Sequence, residues 1–490
     1  MNDRNANSSS YRMILRGLLL VGSASVVTLL CSAARSKLLA YVGGATAVGT
    51  VGLLASFISL AFTTGGLGLG VAGVREIAAA KDDGSRNAAR LALRRYALVL
   101  ALVTFTVIAV ASAPINARVF EGALAPAFVC AAGLGAAAMI GSMALSTELR
   151  GVQMIRALAK GRSLAAVLAA FGAATALFLL RGNWALVAFA VSLPFASLLV
   201  FAWVLGRGAP LQGAGASWRE SQSHFRGFAS LGIPVAASGF AASGAALLLR
   251  MVVDQRAGTA TLGLFVAAFA VSEQYLGIVL QSMATDYFPR LAAVIDTPEE
   301  ANVLIRRQSR LLLTVGCPVL FGMLAVSPWL LPLLYAAEFD EATTVYCLLV
   351  ASGLLKMLAW PLGYAILARG RSLMFTAKEL SVHATYLAVA FFFFDNELWI
   401  IGLAYIVCRI VNLAWLVLYV RHALNHTMSA WCMQRAALVS LGLALVLGVR
   451  EWNELAAAGV AAVFSAALGV DALKVLLSIF RGTFRPADDT

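Results

Sequence analysis

The chain has 490 residues, of which 61% are hydrophobic and only 12% charged, and its net charge is +13. A soluble domain carries about 25% charged residues, so this composition excludes a soluble surface and specifies an all-α polytopic membrane protein. The positive charge is not a nucleic-acid footprint, because Lys and Arg gather at the ends of apolar runs, where they set membrane topology.

Taken in order, runs long enough to span a bilayer fall at about 17–39, 48–71, 96–114, 123–146, 164–180, 185–206, 227–252, 261–284, 311–333, 343–367, 374–394, 398–420, 435–449 and 455–478. That is about 14 transmembrane helices, with twelve as the alternative count because the last pair is short. The first run follows Arg12 and Arg16 and is closed by Arg35 and Lys37, the pattern of an uncleaved first helix. The division expected is a six-helix bundle over 1–206, a cytoplasmic linker at 207–226, a second six-helix bundle over 227–424, and over 425–490 an extra helix pair, 13–14, with a cytoplasmic tail.

The stretch Gly227–Leu291 repeats the plan of Gly17–Ile77 about 214 residues earlier. Gly44-Ala-Thr-Ala-Val-Gly49 parallels Gly258-Thr-Ala-Thr-Leu-Gly263, Arg16-Gly17 parallels Arg226-Gly227, and Arg35 is echoed by Arg250. Such self-similarity points to a duplicated transmembrane unit, as in many secondary transporters.

One set of loops is basic: Arg75 to Arg95, Arg150 to Arg162, Arg207 to Arg226, Arg290 to Arg310, Arg369 with Arg371, and Arg421 with Arg435. The alternate loops are short and acidic, with Glu338, Asp340 and Glu341, then Asp395 and Glu397, then Glu451 and Glu454. The basic set faces the cytoplasm and an even span count puts both termini there. No loop is long enough for a catalytic or nucleotide-binding domain. Residues 297–310 read as a short interfacial helix capped by Thr297 and opened by Pro298.

Gly68-Leu-Gly-Val-Ala-Gly73 matches the dinucleotide fingerprint literally, but it follows an apolar helix and not a strand, so close helix packing is the better reading. No phosphate-binding GxxxxGK[ST] loop occurs. His422 and His426 have metal-compatible spacing but no Cys or carboxylate beside them, and read as a basic loop. The six cysteines are scattered singly and read as small packing residues. No metal, cofactor or catalytic residue is called for.

Ionisable residues at membrane depth are costly and mark function by default. They are Arg250, Glu273, Lys356 and Arg409, with Arg35 toward the end of span one. Lys37 and Lys378 read as snorkelling side chains. The structural alternative for Glu273 is a buried ion pair with Arg250 or Lys356 that fixes helix register. Bases outnumber acids at depth, which suits an anion such as pyrophosphate. Pro234 and Pro361 are the expected bending points for gating, with simple helix curvature as the alternative.

Asp340-Glu-Ala-Thr-Thr-Val-Tyr through Lys356, then Gly363-Tyr364, the turn at 368–371 and Ala377-Lys-Glu-Leu380, resemble the second half of Wzx-type polysaccharide flippases. These belong to the multidrug/oligosaccharidyl-lipid/polysaccharide exporter (MOP) superfamily, and the likeness is to lipid III flippases and O-antigen translocases. Lys37-Leu-Leu-Ala-Tyr-Val-Gly-Gly44 is similar to the same family. The resemblance implies two six-helix bundles forming a V around a central cavity. It also implies transfer of undecaprenyl-pyrophosphate-linked oligosaccharide from the cytoplasmic to the periplasmic leaflet of the bacterial inner membrane.

Glu273 matches a carboxylate position of the family and Lys356 a basic one, while Gly353 stands where some relatives place an Asp. Spans thirteen and fourteen resemble in number the extra pair of lipid II flippases. On this reading Arg250, Lys356, Arg409 and Arg35 hold the substrate, Glu273 carries coupling, and Pro234 and Pro361 gate. The expected partners are the lipid-linked oligosaccharide, the membrane, a polysaccharide polymerase and a chain-length regulator, with the chain working as a monomer. The alternatives are a lipid II flippase, a multidrug or cation antiporter of the same fold, and a membrane polymerase or ligase.

Overall fold

The computed structural model describes residues 2–208 and 218–480, and the described residues form helices and no strand. Residues 209–217 of the 207–226 linker and the tail beyond Phe480 lie outside them. The helices are α1 (Asn2–Gly65), α2 (Leu69–Ala79), α3 (Asp83–Val110), α4 (Ser112–Val119), α5 (Pro126–Gly151), α6 (Ile155–Leu179), α7 (Asn183–Gly208) and α8 (Trp218–Val294). They continue with α9 (Pro298–Ala325), α10 (Ser327–Leu334), a 3-10 turn at Ala337–Ala342, α11 (Thr343–Ala368), α12 (Ser372–Phe393), α13 (Leu398–Leu424), α14 (Ala430–Arg450) and α15 (Glu454–Phe480).

Eleven described helical stretches are long and apolar enough to cross a membrane. Two of them, Val26–Gly65 and Val235–Glu273, are 40 and 39 residues long. A straight α1 would measure about 96 Å, three times the hydrocarbon thickness. The chain breaks instead at Gly44 (φ 64°, ψ −166°) and, in α8, at Gly258 (φ 86°, ψ 163°). Backbone of this kind is open essentially to glycine alone. The two glycines are the first residues of the paired Gly44–Gly49 and Gly258–Gly263 segments, so the sequence repeat reappears as a repeated break. The 22-residue α12, with Lys378, Glu379 and His383, has spanning length but lies outside the eleven.

The chain divides into two compact units, residues 1–251 and 252–490, with the boundary inside α8 and later than the 207–226 link. The reason is packing of the first part of α8. A Cβ on Gly232 would meet the Leu67 carbonyl, one on Gly239 would lie 2.6 Å from Thr63 Cγ2, and one on Gly227 would lie 2.7 Å from the Glu76 carboxyl carbon. Small residues thus seat this segment on the end of α1 and on α2. In the first unit, Ile77, Ala92, Leu93 and Ile140 form a dry core with Phe228. In the second, Leu291, Ile305, Leu362, Ile366 and Val420 do the same.

The 72–95 region is not a loop. It is α2 followed by the start of α3, whose entry is a reciprocal cap: Ser85 N donates to Asp82 Oδ1 at 2.7 Å, and Asp82 N donates to Ser85 Oγ. That backbone donor holds the Asp82 carboxyl below its usual range. The glycines of the dinucleotide-like motif serve packing: Gly68 adopts φ 66° at the turn before α2, and a Cβ on Gly73 would lie 2.9 Å from Leu93 and Thr147 methyls. Residues 298–310 are not a separate interfacial helix but the first turns of α9, and Thr297 sits at the N-cap without a side-chain cap bond. The Pro298 ring presets the first turn, so the cap is dispensable.

Candidate functional site

Three of the charges at membrane depth meet in the second unit. Glu273 comes from α8, Lys356 from α11 and Arg409 from α13. Lys356 Nζ donates to Glu273 Oε2 at 2.5 Å, and Arg409 Nη2 donates to Glu273 Oε1 at 3.1 Å. The side chains are 27% exposed for Glu273, 19% for Lys356 and 17% for Arg409, so the cluster is sheltered yet reachable. One carboxylate balances two cations and leaves a surplus positive charge. Arg409 Nε is buried and has no hydrogen-bond partner among the described residues. This arrangement invites an anionic ligand, because a guanidinium edge with an unmet donor is costly to shelter.

Aromatic rings frame the cluster. The Arg409 guanidinium lies 5.0 Å from the ring centre of Tyr405, one turn earlier on α13. Tyr405 meets Phe269 of α8 and Tyr386 of α12 edge to face, at 5.7 and 4.9 Å. Tyr405 was not singled out from the sequence, although its i−4 spacing from Arg409 puts the two on one helix face. Helices approach closely one turn before Lys356. A Cβ on Gly353 would lie 2.9 Å from a Leu320 methyl and 3.1 Å from a Leu276 methyl. A larger residue here requires the Leu320 and Leu276 side chains to shift.

Pro361 follows Lys356 by just over a turn, and α11 runs through it. Tyr287 Oη donates to the Pro361 carbonyl at 2.9 Å, and its ring stacks on Trp360 at 5.6 Å. Pro234 also sits within continuous helix, in the first part of α8.

Arg35 and Arg250 belong to the first unit. Arg35 Nη2 donates to the Phe189 carbonyl and to Ser192 Oγ, both at 3.0 Å, and its guanidinium lies 4.7 Å from the Phe189 ring centre. It borders a cavity of about 400 Å³ that Ser32, Ser36, Ser59, Ser142 and Ser197 also line. The rest of its wall is apolar, with Val51, Ile58, Met139, Phe189 and Leu193, so the cavity suits an amphipathic group with a few polar or anionic oxygens. Arg250 Nη1 donates to the Ala246 carbonyl of its own helix at 3.0 Å.

Two sequence expectations are corrected here. Lys378 does not snorkel: its side chain is 6% exposed, pairs with Glu379 and lies 4.8 Å from the Phe375 ring centre. Local partners outcompete the headgroups. Arg90 and Arg94 are not solvated loop charges either. Arg90 Nε donates to Glu148 Oε1 at 2.6 Å, and Arg94 Nε and Nη2 grip both oxygens of Glu148 at 2.7 and 3.0 Å. Glu148 is fully buried and ties α3 to α5. The sequence reading passed over it because it stands at the basic end of an apolar run, where a single acid looks solvated.

Among the described residues no group of three His, Cys, Asp or Glu is arranged to hold a metal. His426 bonds Asn302 at 2.8 Å through Nδ1, and burial, with the nearby Arg306, pushes it down to about 4.

No curated protein matches the sequence. Among solved structures the fold is similar to an inward-facing multidrug resistance MATE family transporter of the MOP superfamily, with TM-score 0.66 and 16% identity over 81% of this chain and 95% of that one. It is similar to the lipid II flippase MurJ in an inward closed conformation, with TM-score 0.68 and 13% identity over 95% of this chain and all of the other. A MOP superfamily transporter from Pyrococcus furiosus matches with TM-score 0.57 and 17% identity over 84% and 96%. The family described as Polysaccharide biosynthesis protein matches residues 45–344, more than half of the sequence. The chain is therefore a membrane protein with the MOP transporter fold, and it belongs to the polysaccharide biosynthesis protein family.

Proposed function

We propose that the protein is a flippase that moves undecaprenyl-pyrophosphate-linked oligosaccharide units from the cytoplasmic to the periplasmic leaflet of a bacterial inner membrane, by alternating access. It is a transporter, not an enzyme: the substrate's bonds are unchanged. The observation that carries the reading is the Glu273–Lys356–Arg409 cluster on three helices, with its surplus positive charge. A pyrophosphate would displace Glu273 from Lys356 and Arg409, since guanidinium and ammonium groups bind phosphate oxygens at least as well as a carboxylate. The released Glu273 is then the group able to take up a coupling proton. Arg35, at the edge of a largely apolar cavity with a few serines, and Arg250 would meet sugar or phosphate oxygens, and Pro234 and Pro361 would supply bending points. The reading takes the chain to cross fourteen times, with the two long stretches each counted as two at Gly44 and Gly258 and α12 counted as one. The partners on this reading are a polysaccharide polymerase and a chain-length regulator.

The multidrug antiporter reading calls for acidic groups that attract cations, and the cluster has the opposite sign. Lipid II differs only in the sugar and peptide carried, so the substrate assay separates it. The test uses purified protein in proteoliposomes with fluorescent undecaprenyl-pyrophosphate oligosaccharide, scored by protection from an external quencher. Wild type should flip the label, and Lys356→Ala and Arg409→Ala should each lower the rate by about tenfold or more. Full activity in both variants refutes the cationic-site mechanism, and flipping of lipid II alone refutes the substrate.

A further inference from the structure

A second group of cations lies where α9, α14 and α15 meet, and the transport reading makes no use of it. Trp431, in the first turn of α14, is flanked by two guanidinium groups. Arg310 of α9 lies 4.9 Å from its ring centre and Arg435 of α14 lies 5.8 Å from it. The Arg435 side chain is 14% exposed and donates through Nη1 to Asp471 of α15 at 3.2 Å. Its Nε and Nη2 are buried and have no hydrogen-bond partner among the described residues. These two atoms form the side edge of the guanidinium fork, the edge that grips two oxygens of one phosphate. Asp471 is 52% exposed, and a solvated partner of this kind satisfies only part of the charge.

Depth along the helices identifies the ligand class. α9 has 28 residues, about 42 Å of helix, which exceeds the hydrocarbon thickness. Arg310 stands about 18 Å from its start, where the basic turns give way to the apolar run. Trp431 and Arg435 occupy the first two turns of α14. This is the boundary between headgroups and acyl chains, where tryptophan is enriched. Further along α14, Leu438, Leu441 and Leu445 are exposed and continue an apolar track.

We propose that Arg310, Trp431 and Arg435 bind the phosphate headgroup of an anionic membrane lipid, the Arg435 side chain turning to bring its otherwise buried Nε and Nη2 onto the phosphate oxygens. Basic pockets between transmembrane helices on the side of the basic loops are built for such headgroups. The bound lipid joins α14 to α9 and does not depend on what the transporter carries.

The test is native mass spectrometry of delipidated full-length protein titrated with phosphatidylglycerol, with phosphatidylcholine and inorganic phosphate as separate arms. Phosphatidylglycerol should bind about tenfold more tightly than phosphatidylcholine, and Arg435→Gln should abolish that preference. Arg435→Lys should restore only part of it, because an ammonium lacks the fork. Asp471→Asn removes the competing acid and should strengthen binding by about threefold. If Arg435→Gln does not fold, Arg310→Gln and Asp471→Asn carry the test. Equal binding of phosphatidylcholine overturns the proposal. So does weaker binding in Asp471→Asn, the result of a purely structural pair, and so does inorganic phosphate that binds as tightly as the lipid.

Discussion

Glu273→Gln is the most informative single change in the protein. Glutamine keeps the size and one acceptor oxygen but leaves Lys356 and Arg409 as two like charges with no counterion. Breaking a fully buried ion pair costs about 3–5 kcal/mol. The three side chains here keep between 17 and 27% of their exposure, so solvent screening brings the expected loss to about 2 kcal/mol. If residues 252–490 melt as one unit, that loss lowers Tm by about 4–8 °C. Intrinsic tryptophan fluorescence of the detergent-solubilised protein measures it. Lys356→Gln should cost less, because Arg409 still neutralises Glu273, and the double variant should recover part of the loss in a thermodynamic cycle. A Glu273→Gln protein that melts within about 1 °C of wild type, or a Lys356→Gln protein that melts lower than Glu273→Gln, refutes the shared-carboxylate account.

Gly258→Ala forces a side chain into φ 86° and should cost about 1–3 kcal/mol, with Gly44→Ala behaving alike. Thermal melting of both, beside Gly448→Ala as a control with open space around it, checks this. Glu148→Gln strips the counterion from Arg90 and Arg94, and should lower stability by about 3 kcal/mol or more because Glu148 is fully buried; chemical unfolding reads it. His426 is held neutral by burial and Arg306, at about 4 against a free value of 6.5. The unfolded chain therefore binds the proton first as pH falls. The His426 contribution is complete above about pH 6.5 and is lost between 6.5 and 4, by at most about 3 kcal/mol. A melting series across that window should flatten in His426→Asn.

Composition alone carries the fold class, since 12% charge over 490 residues leaves only membrane helices. The repeated Gly44 and Gly258 segments were legible because both sit where the backbone admits no other residue. Glu273, Lys356 and Arg409 were legible because each is an isolated charge inside an apolar run, and isolation at depth predicts pairing. What was not legible depends on neighbours across helices. Glu148 and Arg90 have the same local surroundings as solvated loop charges, and only the packing of α3 on α5 distinguishes them. Lys378 has the sequence setting of a snorkelling residue, but Glu379 and Phe375 hold it in place. The close packing of Gly353 against the methyls of Leu276 and Leu320 is likewise visible only in three dimensions.

The contact between Gly68 and Gly232 has a consequence for how this protein can change over generations. A Cβ on Gly68 would lie 2.7 Å from the Gly232 Cα, so main chain meets main chain there. An ion cluster can be exchanged in two steps, with an inverted charge at one position answered at the other. A junction of two bare backbones offers no second step, since no residue at 232 makes room for a larger one at 68. Paired substitutions will therefore never reveal this junction in a lineage of related sequences. It should stand as two independently fixed glycines, while the ionic positions drift together.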